Sequence, residues 1–324
     1  MKRNTLRILA GAVIAAVGLN AHTAFAADYP EKPVRLIVPT AAGGSLDTIA
    51  RLLGQRLEAT LGKPFVVENR AGANGNTAFE FVAKAKPDGY TLLVASDALA
   101  INPSLYQNVN YDPVKSYAPV ALVTTAAQVL VVNPALGVKD LKGFTAVAKQ
   151  KGKGLSIGSP GSGSAGHLSA VLYQAETKTE WTHVAFKGGG PAVTNVVGGH
   201  IDGLFVTLAP AVPQIKAGKL VALAVTTPKR AVALPDVPAV GESLPGFDVT
   251  NWQGVFAPAG TPAAVVNKLN ATIQKIVAEP EIQAKLVDLG FETAAGAPAE
   301  LGKQVQENFA KWAKIIPQAN ITVD

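Results

Sequence analysis

The sequence predicts an α/β fold with mostly parallel sheets, in about two domains. Three observations lead there. Apolar runs of strand length alternate with amphipathic helical stretches along most of the chain. The 324 residues suit about two domains at ~100–200 residues each. Two glycine-rich loops, 39–45 and 159–164, each follow a strand and open a helix, one in each half of the chain. Composition agrees: 48% hydrophobic with 16% charged residues is a globular balance, the opposite of a disordered one.

The chain starts with a segment that stands apart. Lys2, Arg3 and Arg7 precede an apolar run of 12 residues, Ile8 to Leu19, and Ala24-Phe25-Ala26 supplies small residues at both recognition positions of a signal peptidase. This is the pattern of a secretory signal peptide, with cleavage expected after Ala26 and an exported, periplasmic destination. The run ends at polar Asn20 and His22, too short for a membrane span. No later stretch approaches 18 unbroken apolar residues, so the mature chain is expected to be soluble. Loss of residues 1–26 leaves 26 basic against 23 acidic residues, a net charge of +3 instead of +6. The basic character is therefore largely the export segment's, and no Lys/Arg cluster of the kind that binds nucleic acid is present. There is no cysteine, and the one methionine is Met1. Disulfides, thiol nucleophiles and thiolate metal sites are excluded, and the mature chain carries no sulfur.

The elements follow in order. Residues 34–38 read as a buried strand, broken by Pro39 to Ser45. Asp47 opens a helix with Ile49, Leu52, Leu53, Leu57 and Leu61 near a 3.6-residue period. Its carboxylate suits the positive end of the helix dipole. Gly62 ends that helix and 65–67 begins the next strand. A helix over about 74–85 stops at the turn signal Pro87-Asp88-Gly89. Further strands are expected at 91–96, 128–132, 155–159, 182–186, 204–208 and 221–226, with helical stretches between them. The last third adds helices at about 262–278, 280–289 and 298–315, and proline at or near the first turn suits helix starts there.

The glycine loops are the candidate site. A helix N-terminus presents unpaired N–H groups and a positive dipole end, and glycine lets a ligand approach the backbone. Ligand crevices of open α/β sheets lie at the carboxyl ends of strands, where both loops fall. Two such seats facing each other would clamp one small anion; the alternative is a pair of ordinary strand–helix turns. Gly161-Ser162-Gly163-Ser164-Ala165-Gly166 matches G-x-G-x-x-G, but 182–186 leads into Lys187, not an acidic residue. Gly154-Leu155-Ser156-Ile157-Gly158 matches G-x-S-x-G, yet Ser156 falls inside the strand rather than at a sharp turn. Ser164 and His167 suit a helix cap and a polar pocket; a serine hydrolase using Ser164 or Ser156 with His167 is the enzymatic alternative. His167, His183 and His200 have no metal-ligand spacing. Lys187 is placed to neutralise a carboxylate, or is a solvated loop lysine. Asp202 either orients pocket groups or ends the preceding helix.

A set of ordered motifs then carries a resemblance over essentially the whole mature chain. These are VPTAAGGSLDTIAR (38–51), VENRAG (67–72), AKPDGYTLL (85–93), NPSLY (102–106), SPGSGSAGHL (159–168), HVAFKGGGPA (183–192), GHID (199–202) and LPDVP (234–238). In them the chain resembles the periplasmic solute receptors of tripartite tricarboxylate transporters, the Bug receptors. The resemblance implies a two-lobed periplasmic-binding-protein (Venus flytrap) fold with two mixed, mostly parallel sheets and flanking helices. Lobe 1 would be 27–125 plus 246–324, and lobe 2 would be 126–245. It implies a non-enzymatic, monomeric receptor for a small organic acid, delivering it to the membrane subunits of a transporter, with neither cofactor nor metal nor nucleic acid. The same closed receptor could instead contact a signalling receptor. The ligand-binding residues it implies are Thr40, Ala41, Ala42, Gly43, Gly44 and Asp47; Ser96, Asp97 and Ala98; Ser159, Gly161, Ser162, Gly163, Ser164 and His167; and Lys187, Gly188, Pro191 and Asp202.

The chain departs from the family pattern in places. Thr40 stands where an aromatic residue is common, Asp97 and Leu99 where hydroxyl residues and histidine are common, and Val171 where glutamate is frequent. A carboxylate from Asp97 in the cleft would repel a second ligand carboxylate and attract an ammonium. A ligand with one carboxylate and a cationic or neutral polar second end is therefore expected, unless Asp97 points away or caps the next turn.

Overall fold

The computed structural model describes residues 29–318 and residue 321. The expected signal peptide and its cleavage point lie outside these residues. The chain begins with β1 (Val34–Val38), α1 (Ser45–Leu61), β2 (Phe65–Asn69), α2 (Asn76–Ala83), β3 (Thr91–Ser96) and α3 (Ala98–Leu105). β1 pairs in parallel with both β2 and β3, so each strand–helix–strand crossover is of the kind the alternation announces. A 16-residue strand, β4 (Tyr117–Val132), then leaves this sheet. After it come α4 (Leu141–Lys151), β5 (Ser156–Ser159), α5 (Ala165–Thr177), β6 (Thr182–Ala185), α6 (Gly189–Val197), β7 (Gly203–Thr207), α7 (Leu208–Lys216) and β8 (Val221–Val225). The chain returns in β9 (Thr250–Pro258) and closes with α8 (Ala263–Val277), α9 (Pro280–Asp288), β10 (Glu292–Gly296) and α10 (Pro298–Gln318).

β4 makes two lobes of one continuous sheet. Its first part, Tyr117 to Ala127, pairs antiparallel with β9, and β10 lies on its other side. From Gln128 to Val132 it pairs antiparallel with β7 and lies beside β8. β5 is parallel to β6 and β7 in the second sheet. The two chain crossings are stitched together by Thr226. Its N–H donates to Gln128 O at 2.9 Å, its carbonyl accepts from Val249 N at 3.0 Å, and its hydroxyl donates to Val249 O at 2.7 Å.

Both faces of the first sheet are covered around β1 and β3, which is why those strands are largely apolar. On one face of the first sheet Leu36 and Val38 pack with Ile49, Leu53 and Leu57 of α1 and with Leu269 and Ile273 of α8. On the other face Ile37, Leu93 and Ala95 meet Phe79, Val82, Leu301 and Val305. Burying each of these large side chains contributes ~1.5–3 kcal/mol. α10 reaches further than the lobe boundary drawn from the sequence suggests. Trp312 and Ile316 join a cluster with Ile101, Leu130, Phe247 and Val249, on both sides of the crossing.

Three strands escaped the sequence reading: the first part of β4, β9 and β10. β4 contains Pro119, and β9 opens on Thr250-Asn251-Trp252-Gln253. Polar residues and proline there mask strands whose polar side chains are buried against one another. α1 also begins at Ser45, two residues before Asp47.

Candidate functional site

Both lobes point the carboxyl ends of their parallel strands at the crossings. Ser96, the last residue of β3, pairs with Gln253, which pairs with Thr124. Thr207, the last residue of β7, pairs with Gln128. The loops leaving β1, β3, β5, β6 and β7 therefore flank the crossings.

The first glycine loop is held by an ionised carboxylate. Asp47 Oδ2 accepts the N–H of Gly43 at 2.9 Å and the Nε of Arg51 at 3.0 Å, while its Oδ1 accepts from Asn69 Nδ2 at 3.0 Å. The same Asn69 amide reaches Thr40 O at 3.0 Å. Burial opposes the charge of Asp47, but bonds from Arg51, Gly43 and Asn69 outweigh it and hold the carboxyl below its ordinary range. Gly43 has φ +83°, a left-handed geometry that glycine adopts without strain. Among the described residues nothing accepts from the N–H groups of Ala41, Ala42 or Gly44, and the buried hydroxyl of Thr40 has no partner.

The second loop repeats the geometry with other chemistry. Ser164 caps α5, its Oγ accepting the N–H of His167 at 3.2 Å. The imidazole of His167 turns back, and its Nδ1 accepts the N–H of Gly163 at 3.0 Å. That bond needs an unprotonated Nδ1, hence a neutral ring. Burial pushes the His167 imidazolium down to about 4, and neighbouring His183 pushes it the same way. The two rings stack at 4.1 Å between centroids. His183 Nε2 lies 2.7 Å from the hydroxyl of buried Ser159, which accepts the N–H of Gly161 at 3.2 Å. The 186–188 segment is fastened to this loop, Gly188 N donating to Pro160 O at 2.8 Å. Lys187 is exposed beside it, and Pro191 is exposed in the first turn of α6. Ser162 offers an N–H that no described residue accepts.

The structure thus gathers the residues of 40–47 and 96–98 on one side of the crossings, and those of 159–167 and 187–191 on the other. Two expectations need correction. Asp202 does not join them. Its Oδ2 accepts both the N–H and the hydroxyl of Ser156 at 2.8 Å. Ser156 starts β5, whereas the glycine loop leaves its end, about 10 Å away at ~3.3 Å per residue. Asp97 is present but does not offer an open charge. It is 2% exposed, and its Oδ1 accepts from Asn251 Nδ2. Asn251, Gln253, Thr124, Asn69 and His183 beside these loops were not anticipated; Ser159 was expected there, but not its contact with His183. Asn69 in VENRAG, Ser159 in SPGSGSAGHL and His183 in HVAFKGGGPA sit in motifs that marked their positions; the polar residues of β4 and β9 left no readable pattern.

The serines named for a hydrolase are both committed elsewhere. Ser156 is tied to Asp202, and Ser164 caps α5 while Gly163 occupies His167 Nδ1. A hollow of about 560 Å³ lined by Lys32, Arg35, Phe81, Lys84, Lys86 and Tyr90 lies at the opposite ends of β1 and β3 from the loops. It is a poorer anion seat, because Glu68 already pairs with Arg35 at 2.5 Å and Asp88 adds a carboxylate to the lining.

Comparison with known proteins bears on this arrangement. Residues 49–321 match the family model described as tripartite tricarboxylate transporter family receptor. The periplasmic binding protein BugD is 34% identical, over 91% of this chain and all of its own, with a TM-score of 0.86. Rpa4515 of R. palustris, solved with adipate, is 33% identical over 91% of this chain and all of its own, at TM-score 0.88. MatC of Rhodopseudomonas palustris, with bound malate, is 34% identical over 89% of this chain and all of its own, at TM-score 0.83. These neighbours have the two-lobed periplasmic-binding-protein fold and are solute-binding proteins, not enzymes. By the family model and by fold, the chain belongs to the tripartite tricarboxylate transporter receptor family.

Proposed function

We propose that this protein is an exported periplasmic receptor that captures a small organic acid between its lobes and hands it to the membrane subunits of a tripartite tricarboxylate transporter. The observation that carries the reading is the pair of glycine loops. Each sits at a strand end beside the crossings, each is locked by a residue in the first turn of the following helix, and each leaves backbone N–H groups that no described residue accepts. Ligand oxygens would supply those partners, and the unpartnered hydroxyl of Thr40 is a further donor in the first loop. Adipate and malate in two relatives support a carboxylate as the ligand class.

In this reading lobe 1 comprises 27–125 plus 246–324, and lobe 2 comprises 126–245. Residues 1–26 are removed on export, and the mature receptor acts as a monomer. Ligand bridging the loops would favour the closed state, and the transporter would read that closed shape. Thr40 to Gly44, Ser96 to Ala98, 159–164 and Lys187 to Gly188 line the cleft, with Asp47 and His167 setting the loops' shape.

A thermal-shift panel on the mature protein tests this. It would hold mono-, di- and tricarboxylates, amino acids, sulfonates and nicotinamide dinucleotides. A carboxylate at about 100 times its dissociation constant adds ~2.7 kcal/mol to stability. A raised Tm with carboxylates is expected. A shift with dinucleotides alone would overturn the reading.

A further inference from the structure

Asp97 is a buried carboxylate with no cation beside it, in a cleft whose other groups suit anions. Its surroundings form a directional chain. Thr124 Oγ1 donates to Gln253 Oε1 at 2.6 Å, Gln253 Nε2 donates to Asn251 Oδ1, and Asn251 Nδ2 donates to Asp97 Oδ1. Ser96 and the N–H of Ala98 add hydrogen bonds to Asp97. Every donor leads toward Asp97, so the chain ends on an acceptor.

The chain lies at the hinge. Gln253 pairs with both Ser96 and Thr124, and Asn251 pairs with Ala126, two residues before Gln128. β3 lies between β1 and β9, and β1 runs parallel to it, so the first loop and the 96–98 segment leave the sheet at the same end. Asp97 thus stands between the first glycine loop and the crossing strands.

The charged groups on the packed elements have other partners. On α2, Glu80 pairs with Lys84 at 3.9 Å; on α10, Lys303 pairs with Glu307 at 3.7 Å. Lys311 donates to Asp248 O at 3.0 Å, and in the first loop Asp47 holds Arg51. None of them acts on Asp97, whose carboxyl is pushed up to about 7 by burial, against the hydrogen bonds of Ser96, Ala98 and Asn251.

An ionised ligand brought beside such a group meets like charge, and two agents relieve it: a cation on the ligand, or a proton. With 2% of its surface exposed, Asp97 has little face for an ammonium to reach, whereas a proton needs none. We propose that Asp97 takes a proton from solvent when an anionic ligand enters the cleft, so that capture of a dicarboxylate is linked to proton uptake and weakens as pH rises. The inference rests on the carboxylate-receptor reading, and it replaces ligand ammonium with a proton as the partner of Asp97.

Calorimetric titration with adipate and with malate tests it. It would run from pH 6 to 8.5 in two buffers of different ionisation enthalpy, on wild type and the isosteric Asp97→Asn. Wild type is expected to take up close to one proton per ligand above pH 7, its affinity falling toward tenfold per pH unit. Asp97→Asn is expected to bind with pH-independent affinity. Binding without proton uptake, or the same pH profile in both proteins, overturns the inference and leaves the receptor reading intact. Failure of both acids, and of every carboxylate in the thermal panel, overturns both. A carboxyl ¹³C NMR titration of the unliganded wild type gives a check that needs neither ligand nor variant. Asp97 is expected to titrate near neutrality; titration in the ordinary carboxylate range overturns the inference.

Discussion

In the first glycine loop the N–H of Gly43 is bonded to the carboxylate of Asp47; in the second the N–H of Gly163 is bonded to the imidazole of His167. Both acceptors lie four residues ahead, in the first turn of the following helix. The backbone problem is the same in each lobe: a left-handed glycine is pinned while neighbouring N–H groups are left without an acceptor among the described residues. The solutions differ in charge. The first lobe uses an anion, balanced by Arg51 and Asn69. The second uses a neutral ring, stacked on His183 and kept neutral by burial. Loop shape is therefore separable from loop charge, and substitutions can address each.

The sharpest contrast concerns space. A Cβ on Gly166 would lie 2.4 Å from Phe205 O and 2.8 Å from Pro160 Cδ, whereas one on Gly44 would meet nothing nearer than 3.5 Å. Gly166→Ala is expected to cost more than ~3 kcal/mol, since α5 cannot leave β7 without opening the core. Gly44→Ala should cost less than ~1 kcal/mol. Urea unfolding of both variants checks this, and equal losses would break the contrast.

Titration comes next and links three groups. The depressed imidazole of His167 contributes stability that is complete above its ordinary 6.5 and is lost as pH falls through about 4. That is about 3 kcal/mol. Asp97 has the opposite sign. Its raised carboxyl contributes fully below its ordinary 3.8, and that contribution is lost as pH rises through about 7, about 4 kcal/mol. The two nearly cancel in wild type between pH 4 and 6.5. Asp97→Asn should uncover a fall in stability on acidification, and His167→Gln a fall on alkalinisation. Asp47, held low, loses its contribution only below its ordinary 3.8. Unfolding free energies at half-unit pH steps decide it; identical slopes in both variants would refute the assignment.

Smaller effects sharpen the comparison of the acceptors. Asp47→Ala leaves Gly43 N without its acceptor and Asn69 Nδ2 with Thr40 O alone, and should cost about 2 kcal/mol at pH 7. Ser164→Ala removes the cap of α5 and should cost about 1 kcal/mol. Hydrogen exchange at Gly43 and Gly163 reports each loop separately; loosening of both loops by either variant would show that they are not independent.

The parallel strands, their helices and the two loops were legible in the sequence because apolar runs and glycine punctuation follow directly from burial on both faces and from turn geometry. Asp47 and His167 were legible as helix-start residues. Their bonds back to the glycines were not, because such bonds depend on rotamers rather than on spacing. β9 was hidden because Asn251 and Gln253 look like loop residues until Asp97 and Thr124 are beside them. Asp202 was misplaced for the converse reason: a motif fixes its neighbours in sequence but not which end of β5 it faces.

A crystal structure of the mature protein with the best carboxylate from the thermal panel tests the central claim most directly. The account predicts one ligand between the lobes, with its oxygens accepting N–H groups from 40–44 in the first loop and 161–164 in the second. A carboxylate bound wholly within one lobe, or away from both loops, would contradict it.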